Sequence, residues 1–277
     1  MTVGNDVSQF QGQIDWNTYK NNSNFVIIRS TFGNGYYDSW FAHNRDEARR
    51  VNLPRGFYHY CYPEYNSAVD EAEWFSKALY DLQEGELLFL DFEENYNGDV
   101  VAWCKEFLDN VSNNFNGIKP LIYLDQSRAG LYDWTPLVNA GYGLWIADYT
   151  YDPNVYNAEI GKFPFAAFQQ WENNETVPGI NGYVDADEFF GTVEQFKAYG
   201  YKTPQPIPTP VPQPVPTPEP IPTVTGSTNP TPLPTITTST TQPVVTVTTP
   251  PSPIIVVPPK VSWLRELIDK ILKFFNL

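Results

Sequence analysis

The sequence predicts an α/β protein: a TIM-like (β/α) barrel with eight strands and a reduced set of helices, then a disordered Pro/Thr-rich linker and a short amphipathic C-terminal helix. In the first part of the chain, short apolar runs alternate with helix-spaced segments, which is typical of parallel βαβ units. Eight such runs indicate a closed barrel, and roughly 200 residues are few for eight full helices. Residues 204–259 hold 19 of the 26 prolines, and this composition marks the linker.

The eight predicted strands are bounded by turn residues or by helical patterns. They span residues 3–8, 25–31, 56–60, 87–92, 121–123, 143–147, 165–171 and 183–185. Helices are predicted over residues 14–19, 40–51, 67–79 and 99–111, and we expect reduced helices after the fifth strand. The strand at residues 87–92 is apolar except for Asp91, which indicates a buried position.

Two acids at the end of that apolar strand are the first candidates for chemistry. Because side chains alternate along a strand, Asp91 and Glu93 point to the same side, with Cα atoms about 6.6 Å apart. Mutual repulsion and partial desolvation raise the pKa of at least one of them. Such a pair can supply one acid and one base near neutral pH, as glycoside hydrolysis requires. The structural alternative is that both acids lie in a solvated loop beyond the strand.

Other polar residues are expected to converge on this pair, because the C-terminal strand ends of a barrel form its active site. Asp6, Asp91, Glu93 and Asp185 all lie at predicted strand ends. Around these four candidate catalytic acids we expect a ring of substrate-binding residues, namely Tyr58, Tyr60, Tyr123, Trp145, Asp148, Tyr149 and Gln169. His59 is either a buried structural histidine or a further residue of the barrel mouth.

Composition excludes several classes of protein. Two cysteines and two histidines are too few for a disulfide-rich scaffold, a Cys-rich zinc site or a multi-histidine centre, and we expect no metal and no cofactor. The net charge of −15 is uneven, since residues 1–201 carry 12 basic and 29 acidic side chains. Such an acidic body argues against nucleic acid as a partner.

The start of the chain lacks the basic and apolar segments of a conventional signal peptide, and no apolar run reaches 18 residues. We therefore expect synthesis in the cytoplasm and, if the protein acts outside the cell, another exit route.

The composition divides the chain into a barrel at residues 1–202, a linker at 203–260 and a helix at 261–277. Alternating prolines in the linker are typical of a semi-rigid polyproline II spacer. Apolar residues of the last segment recur with helical spacing at Leu264, Leu267, Ile268, Ile271 and Phe275. A helix of this length spans about 25 Å, short of a bilayer core. Membrane-surface contact, self-association and folding back onto the barrel all remain open for it.

Five motifs resemble glycoside hydrolase family 25, the Chalaropsis-type lysozymes that are common among phage endolysins. They are the sequences DVSQFQG with IDW at residues 6–16, GFYHY at 56–60, LDFE at 90–93, LWIADY at 144–149 and VD at 184–185. The motifs occur in order and the resemblance covers residues 1 to about 200. It does not extend over the linker or the terminal helix.

The resemblance implies a β-1,4-N-acetylmuramidase that cleaves bacterial peptidoglycan between N-acetylmuramic acid and N-acetylglucosamine, and that acts on the cell wall during host lysis. On the family pattern Glu93 is the general acid. Asp91 then orients the substrate's acetamido group as internal nucleophile, with a water-inverting route as the competing mechanism. Asp6 and Asp185 would hold the sugar and tune Glu93.

A non-catalytic wall-glycan-binding module on a stalk is the alternative function. The intact pair of Asp91 and Glu93 favours the enzyme, because a pure binding module need not keep a buried acid pair.

Overall fold

The computed structural model describes residues 2–203, so the predicted terminal helix and all but the first residue of the predicted linker lie outside the described residues. Within them the strands are β1 (Thr2–Val7), β2 (Phe25–Phe32), β3 (Tyr36–Tyr37), β4 (Arg55–Tyr60), β5 (Leu87–Asp91), β6 (Leu121–Asp125), β7 (Gly143–Ala147), β8 (Phe168–Glu175) and β9 (Val184–Phe189). The helices are α1 (Trp16–Tyr19), α2 (Phe41–Arg50), α3 (Ala68–Ala78), α4 (Val100–Asn114), α5 (Gln126–Leu131), α6 (Thr135–Asn139) and α7 (Val193–Tyr199).

Eight of the strands form a closed barrel, which confirms the predicted fold class. Their order is β1-β9-β8-β7-β6-β5-β4-β2, and parallel pairing of β1 with β2 closes the ring. The two-residue strand β3 pairs with the C-terminal end of β2 and forms a short hairpin with it. Strand β9 runs antiparallel to both of its neighbours, whereas the other seven barrel strands are parallel. The short strand predicted at residues 183–185 is therefore longer than expected and reversed in direction.

Alternation along each strand divides the core into two layers. Phe25 and Ile27 of β2 face the barrel interior, while Val26 and Ile28 face the surrounding helices. Aromatic side chains fill the interior: the Phe89 ring lies 5.3 Å from that of Trp145 and 5.4 Å from that of Phe168. The barrel is thus a packed core and not a pore, as in other barrels of this class.

The helical layer is uneven around the barrel. The long helix α4 begins after the N-cap Asp99, and its buried residues include Trp103, Cys104 and Phe107, at the spacing of an amphipathic helix. By contrast α5, α6 and α7 have six, five and seven residues. This confirms the predicted reduction of helices after the fifth predicted strand, at residues 121–123, which is β6 in the structure. None of the helices in residues 2–203 is long and apolar enough to cross a membrane.

Candidate active site

Strand β5 carries the predicted acid pair into the barrel mouth. Leu87 and Phe89 belong to the interior layer, so Asp91, two positions further along, also points inward at the C-terminal end of the strand. Asp91 is buried, and no hydrogen-bond donor of residues 2–203 reaches its Oδ1 atom. Glu93 follows just beyond the strand and is exposed to solvent at the rim. The solvated-loop alternative therefore does not describe Asp91.

The other two predicted acids approach from neighbouring strands. Asp6 lies near the C-terminal end of β1 and is buried. Asp185 is the second residue of β9, and because β9 is antiparallel its start lies at the same rim as the ends of the parallel strands. The Asn5 amide donates a 2.9 Å hydrogen bond to the backbone oxygen of Asp185 and ties the two strands together there. The structure thus brings all four acids to one end of the barrel.

Crowding and burial raise the pKa of every acid in this group. Burial raises the pKa of Asp91 well above its ordinary value, and the charges of Glu93 and Asp6 add to the effect. Burial followed by repulsion from Asp6 raises the pKa of Glu93 to about 6, although its side chain remains open to solvent. Asp185 reaches about 8 for the same two reasons, and burial raises the pKa of Asp6 to about 6. The mouth can therefore hold protons at neutral pH.

Two arginines partly offset this negative charge. The Arg29 guanidinium pairs with Asp38 at 2.9 Å and lies 5.0 Å from the centre of the exposed Phe10 ring. Its charge lowers the pKa of Asp91, against the larger effects of burial and repulsion. Arg128 on α5 pairs with Asp125, donates a hydrogen bond to the backbone oxygen of Glu93, and acts to lower the pKa of the Glu93 carboxyl group.

A buried amide connects Asp6 to two tyrosines of the predicted ring. The Gln170 Nε2 atom donates to Asp6 Oδ2 at 2.8 Å. Its Oε1 atom accepts hydrogen bonds from the hydroxyls of Tyr123 at 2.8 Å and Tyr149 at 2.9 Å. Gln170 was missed by the sequence analysis, which selected Gln169. Strand alternation with the apolar Phe168 was the available signal, since residues 168 and 170 share a face.

The structure does not bring Gln169 or Asp148 to the acids. Gln169 faces away from the barrel interior, and its buried amide donates to the backbone oxygen of Asp148 at 3.0 Å. Asp148 accepts a 2.7 Å hydrogen bond from Gln126 of α5, which also lies outside the barrel. Both residues stabilise the loop after β7 from the side that faces away from the barrel interior.

The aromatic members of the ring lie at different depths. Tyr58 and Trp145 are buried in the interior layer, and Tyr123 is buried beside them. Tyr60 is partly exposed and its hydroxyl donates to Glu94 at 2.8 Å, while Tyr149 is 41% exposed. Only these last two present substantial surface to a bound ligand.

His59 lies behind the barrel wall and not at the mouth. It is fully buried between Thr31 of β2 and Glu71 of α3, with nitrogen–oxygen distances of 2.7 and 2.8 Å. The structural alternative for this histidine is correct.

A fifth acid, Asp187, is a further residue that the sequence analysis missed. It is fully buried in β9, two residues after Asp185, and accepts a 2.9 Å hydrogen bond from Trp145 Nε1. The D-x-D spacing at residues 185–187 was the available signal, because it places both side chains on one face of the strand. Within residues 2–203 no cluster of three or more His, Cys, Asp or Glu side chains is arranged to hold a metal ion.

Comparison with known sequences finds one family over most of the described chain. The sequence model of glycosyl hydrolases family 25 matches residues 5–180. The uncharacterized protein YegX of Escherichia coli K12 is 32% identical over 216 residues, covering 71% of this chain and 72% of YegX. The autolytic lysozyme of Clostridium acetobutylicum is 28% identical over 195 residues, covering 67% of this chain and 55% of that protein.

Solved structures share the barrel. The bacterial lysozyme of Streptomyces coelicolor superposes with a TM-score of 0.60 at 24% identity, covering 72% of this chain and 96% of that chain. The catalytic domain of endolysin ply40 from bacteriophage P40 of Listeria monocytogenes superposes with a TM-score of 0.56 at 22% identity, covering 71% and 97% of the two chains. At these identities the likeness establishes the fold.

Proposed function

The chain belongs to glycosyl hydrolases family 25, and from that premise we propose how its acids hydrolyse peptidoglycan as a muramidase. It is a glycoside hydrolase of the lysozyme type, and the bond cleaved is the β-1,4 linkage between N-acetylmuramic acid and N-acetylglucosamine. The observation that carries the assignment of roles is the pair of Asp91 and Glu93 at the mouth of the barrel, one buried and the other exposed.

Glu93 is the general acid in this proposal. A proton donor to the leaving glycosidic oxygen must hold its proton near the working pH and must reach the substrate. The pKa of about 6 satisfies the first condition, and the exposed position at the rim satisfies the second. Arg128 near its backbone limits how far the pKa rises.

Asp91 acts from beneath the sugar. Its Oδ1 atom is buried without a hydrogen-bond donor among residues 2–203. Leaving a buried polar atom without a partner costs about 1–3 kcal/mol of free energy. The N–H of a substrate acetamido group would supply that partner. An acetamido group held in this way is oriented for attack by its carbonyl oxygen on the anomeric carbon.

Tyr60 and Tyr149 are the accessible rings beside the acids, and we assign them to sugar contact. The buried Tyr58, Tyr123 and Trp145 support these residues from below. Asp6 provides negative charge that raises the pKa of Glu93 and that favours a cationic transition state. Asp185, with a pKa of about 8, is protonated near neutral pH and is assigned to holding the sugar by hydrogen bonding.

We place the activity in lysis of a bacterial host from within, with synthesis in the host cytoplasm. The support is the shared barrel of the endolysin ply40 and the similarity to an autolytic lysozyme.

The deciding experiment measures loss of turbidity of purified bacterial cell walls together with mass spectrometry of the released fragments. We expect new reducing ends on N-acetylmuramic acid. Binding to walls with no released fragment would instead support the glycan-binding module, and new reducing ends on N-acetylglucosamine would contradict the bond assignment.

Substitution Glu93→Gln is expected to reduce the rate of wall lysis by about 10²–10⁴-fold, because it removes the proton donor and preserves the volume of the side chain. The matched control is Glu84→Gln, the same chemical change at an exposed position before β5. Circular dichroism should show both variants folded. Wild-type lysis by the Glu93→Gln variant would remove Glu93 from the mechanism.

A further inference from the structure

The buried acid Asp187 has an environment that an ionised carboxylate does not tolerate. Its side chain is fully buried, and its one hydrogen-bond donor within residues 2–203 is Trp145 Nε1, which reaches Oδ1. No donor in the described part of the chain reaches its Oδ2 atom. A buried carboxylate normally needs several donors or a cation, because burial removes its hydration.

A second carboxyl group, that of Asp6, is also close to Asp187. Antiparallel pairing sets Asp187 opposite Gly4, so Asp6 is its diagonal neighbour on β1, on the same face of the sheet. The interaction between the two side chains lowers the pKa of Asp6 and raises the pKa of Asp187, as expected when Asp187 donates a hydrogen bond to Asp6. Two carboxyl oxygens can meet in this way only when one of them carries a proton.

The hydrogen-bond partners of Asp6 and Asp187 indicate which of the two carboxyl groups carries the proton. Asp6 accepts a 2.8 Å hydrogen bond from Gln170 Nε2 and feels the positive charge of Arg29. Both interactions favour its ionised form. Among residues 2–203 the Trp145 indole is the one hydrogen-bond donor to Asp187, and Asp187 is the more deeply buried of the two acids, so its neutral form is favoured.

We propose that Asp187 carries the proton of a buried carboxyl pair and donates it in a hydrogen bond to Asp6, acting as a positioning residue that keeps Asp6 ionised beneath the substrate. This inference rests on the proposed function of the mouth acids. Asp187 itself lies too deep to touch the substrate, and it acts through Asp6.

An ionised Asp6 has consequences for the proposed general acid. The charge of Asp6 is the largest electrostatic cause, after burial, of the raised pKa of Glu93. It also raises the pKa values of Asp91 and Asp185. Other charged or titratable groups act on this set from every side of the mouth, namely Tyr19, Arg29, Tyr58, Glu94, Tyr123, Asp125, Arg128 and Tyr149.

Two substitutions of Asp187, by side chains of similar size, distinguish a neutral Asp187 that donates a hydrogen bond from an ionised Asp187. Asp187→Asn keeps an acceptor for Trp145 and a donor for Asp6, and it removes no charge if Asp187 is already neutral. Asp187→Leu removes both hydrogen bonds. The measurements are the pH dependence of kcat/KM on soluble peptidoglycan fragments and carbon-13 NMR titration of the aspartate carboxyl groups, both with the full chain.

For Asp187→Asn we expect the alkaline limb of the pH profile to stay where it is in the wild type. For Asp187→Leu we expect the pKa of Asp6 to rise, so that Asp6 is neutral over more of the pH range. Glu93 then loses repulsion, its pKa falls, and the alkaline limb moves to lower pH by about one unit. In the wild type, the Asp187 carboxyl signal should remain that of the protonated form up to pH 7.

An alkaline limb that moves to lower pH in Asp187→Asn would overturn the proposal, because that shift would mean that an ionised Asp187 had been neutralised. An Asp187 signal that titrates near pH 4 would also overturn it. If Asp187→Leu does not fold, Asp187→Asn and the wild-type titration still decide the question. A wild type that titrates as expected but releases no fragments would contradict the proposed function and leave the carboxyl pair standing.

Discussion

At the scale of single residues, the mouth of the barrel brings together more carboxyl groups than Arg29 and Arg128 can neutralise. Asp6, Asp91, Glu93, Asp185 and Asp187 all have raised pKa values. In each case burial is the largest cause, and neighbouring carboxylates add to it in all except Asp6. A site that binds protons in the folded state lowers the stability of that state as the pH rises.

Asp185 allows this cost to be measured. Its pKa is about 8 in the folded protein against an ordinary 3.8, so between these values the folded state holds a proton that the unfolded state releases. The free energy of unfolding therefore falls as pH rises from about 4 towards 8. Asp185→Asn, which cannot ionise, is expected to be more stable than the wild type at pH 7.5, and each 1 kcal/mol gained raises Tm by about 2–4 °C.

Thermal unfolding followed by circular dichroism at pH 7.5 and pH 4.5 checks this expectation, with the same variant at low pH serving as its own control. The gain should shrink at pH 4.5, where both states of the wild type hold most of the proton. An equal gain at both pH values would show that the effect is not one of ionisation.

At the scale of elements, a buried polar network fixes α3 to the barrel wall. His59 of β4 bridges Thr31 of β2 and Glu71 of α3. Glu71 also accepts hydrogen bonds from the Tyr62 backbone at 3.0 Å and from the Asn66 amide at 2.7 Å. The Glu71 carboxyl group thus binds the His59 ring, the Tyr62 amide and the Asn66 side chain together. These bonds hold the loop after β4 in place behind the site.

Substitution Glu71→Ala is expected to lower the free energy of unfolding by about 3–5 kcal/mol, because it leaves several buried donors without an acceptor. Glu73→Ala, at an exposed position of the same helix, should change it by less than about 0.5 kcal/mol. Urea denaturation measures both. Equal effects of the two substitutions would mean that helix propensity and not the network determines the loss.

At the scale of the whole molecule, the barrel closes on itself within the described residues. Parallel pairing of β1 and β2 completes the ring. Near the end of the described chain, the Tyr201 amide donates to the Glu86 backbone oxygen and its own oxygen accepts from Gly85, both at 2.9 Å. The chain is therefore anchored to the residues just before β5, only two residues before Thr203.

A fragment of residues 1–203 is accordingly expected to fold and to cleave soluble peptidoglycan fragments at a rate within about twofold of the full chain, since domain boundaries fall in Pro-rich segments that few contacts cross. Solubility, circular dichroism and fragment release test this. An insoluble or unfolded fragment would contradict the boundary predicted near residue 202. The role of the terminal segment stays a prediction, to be tested by sedimentation and liposome binding of the full chain.

The sequence by itself determined the fold class, the order of the strands along the chain and the four acids of the mouth. Periodicity is a local property that a short window of the chain is enough to show. Examples are apolar runs of strand length, helix-spaced segments and the alternation of Asp91 with its neighbours. The same rule places Asp91 on one face of the strand with Leu87 and Phe89, whereas Glu93 lies beyond the end of β5, where alternation no longer fixes the side.

Only the tertiary structure decided which side of each strand faces the barrel axis. Gln169 and Gln170 are equally polar in sequence, but the closure of the sheet sets Gln170 beside Asp6 and Gln169 behind the wall. Because β9 runs antiparallel to its neighbours, its first residues lie at the rim, which brings Asp185 there and buries Asp187 near Asp6. Register, strand direction and the pKa of crowded carboxyl groups all depend on charges and surfaces that lie far apart along the chain and meet only when the barrel closes.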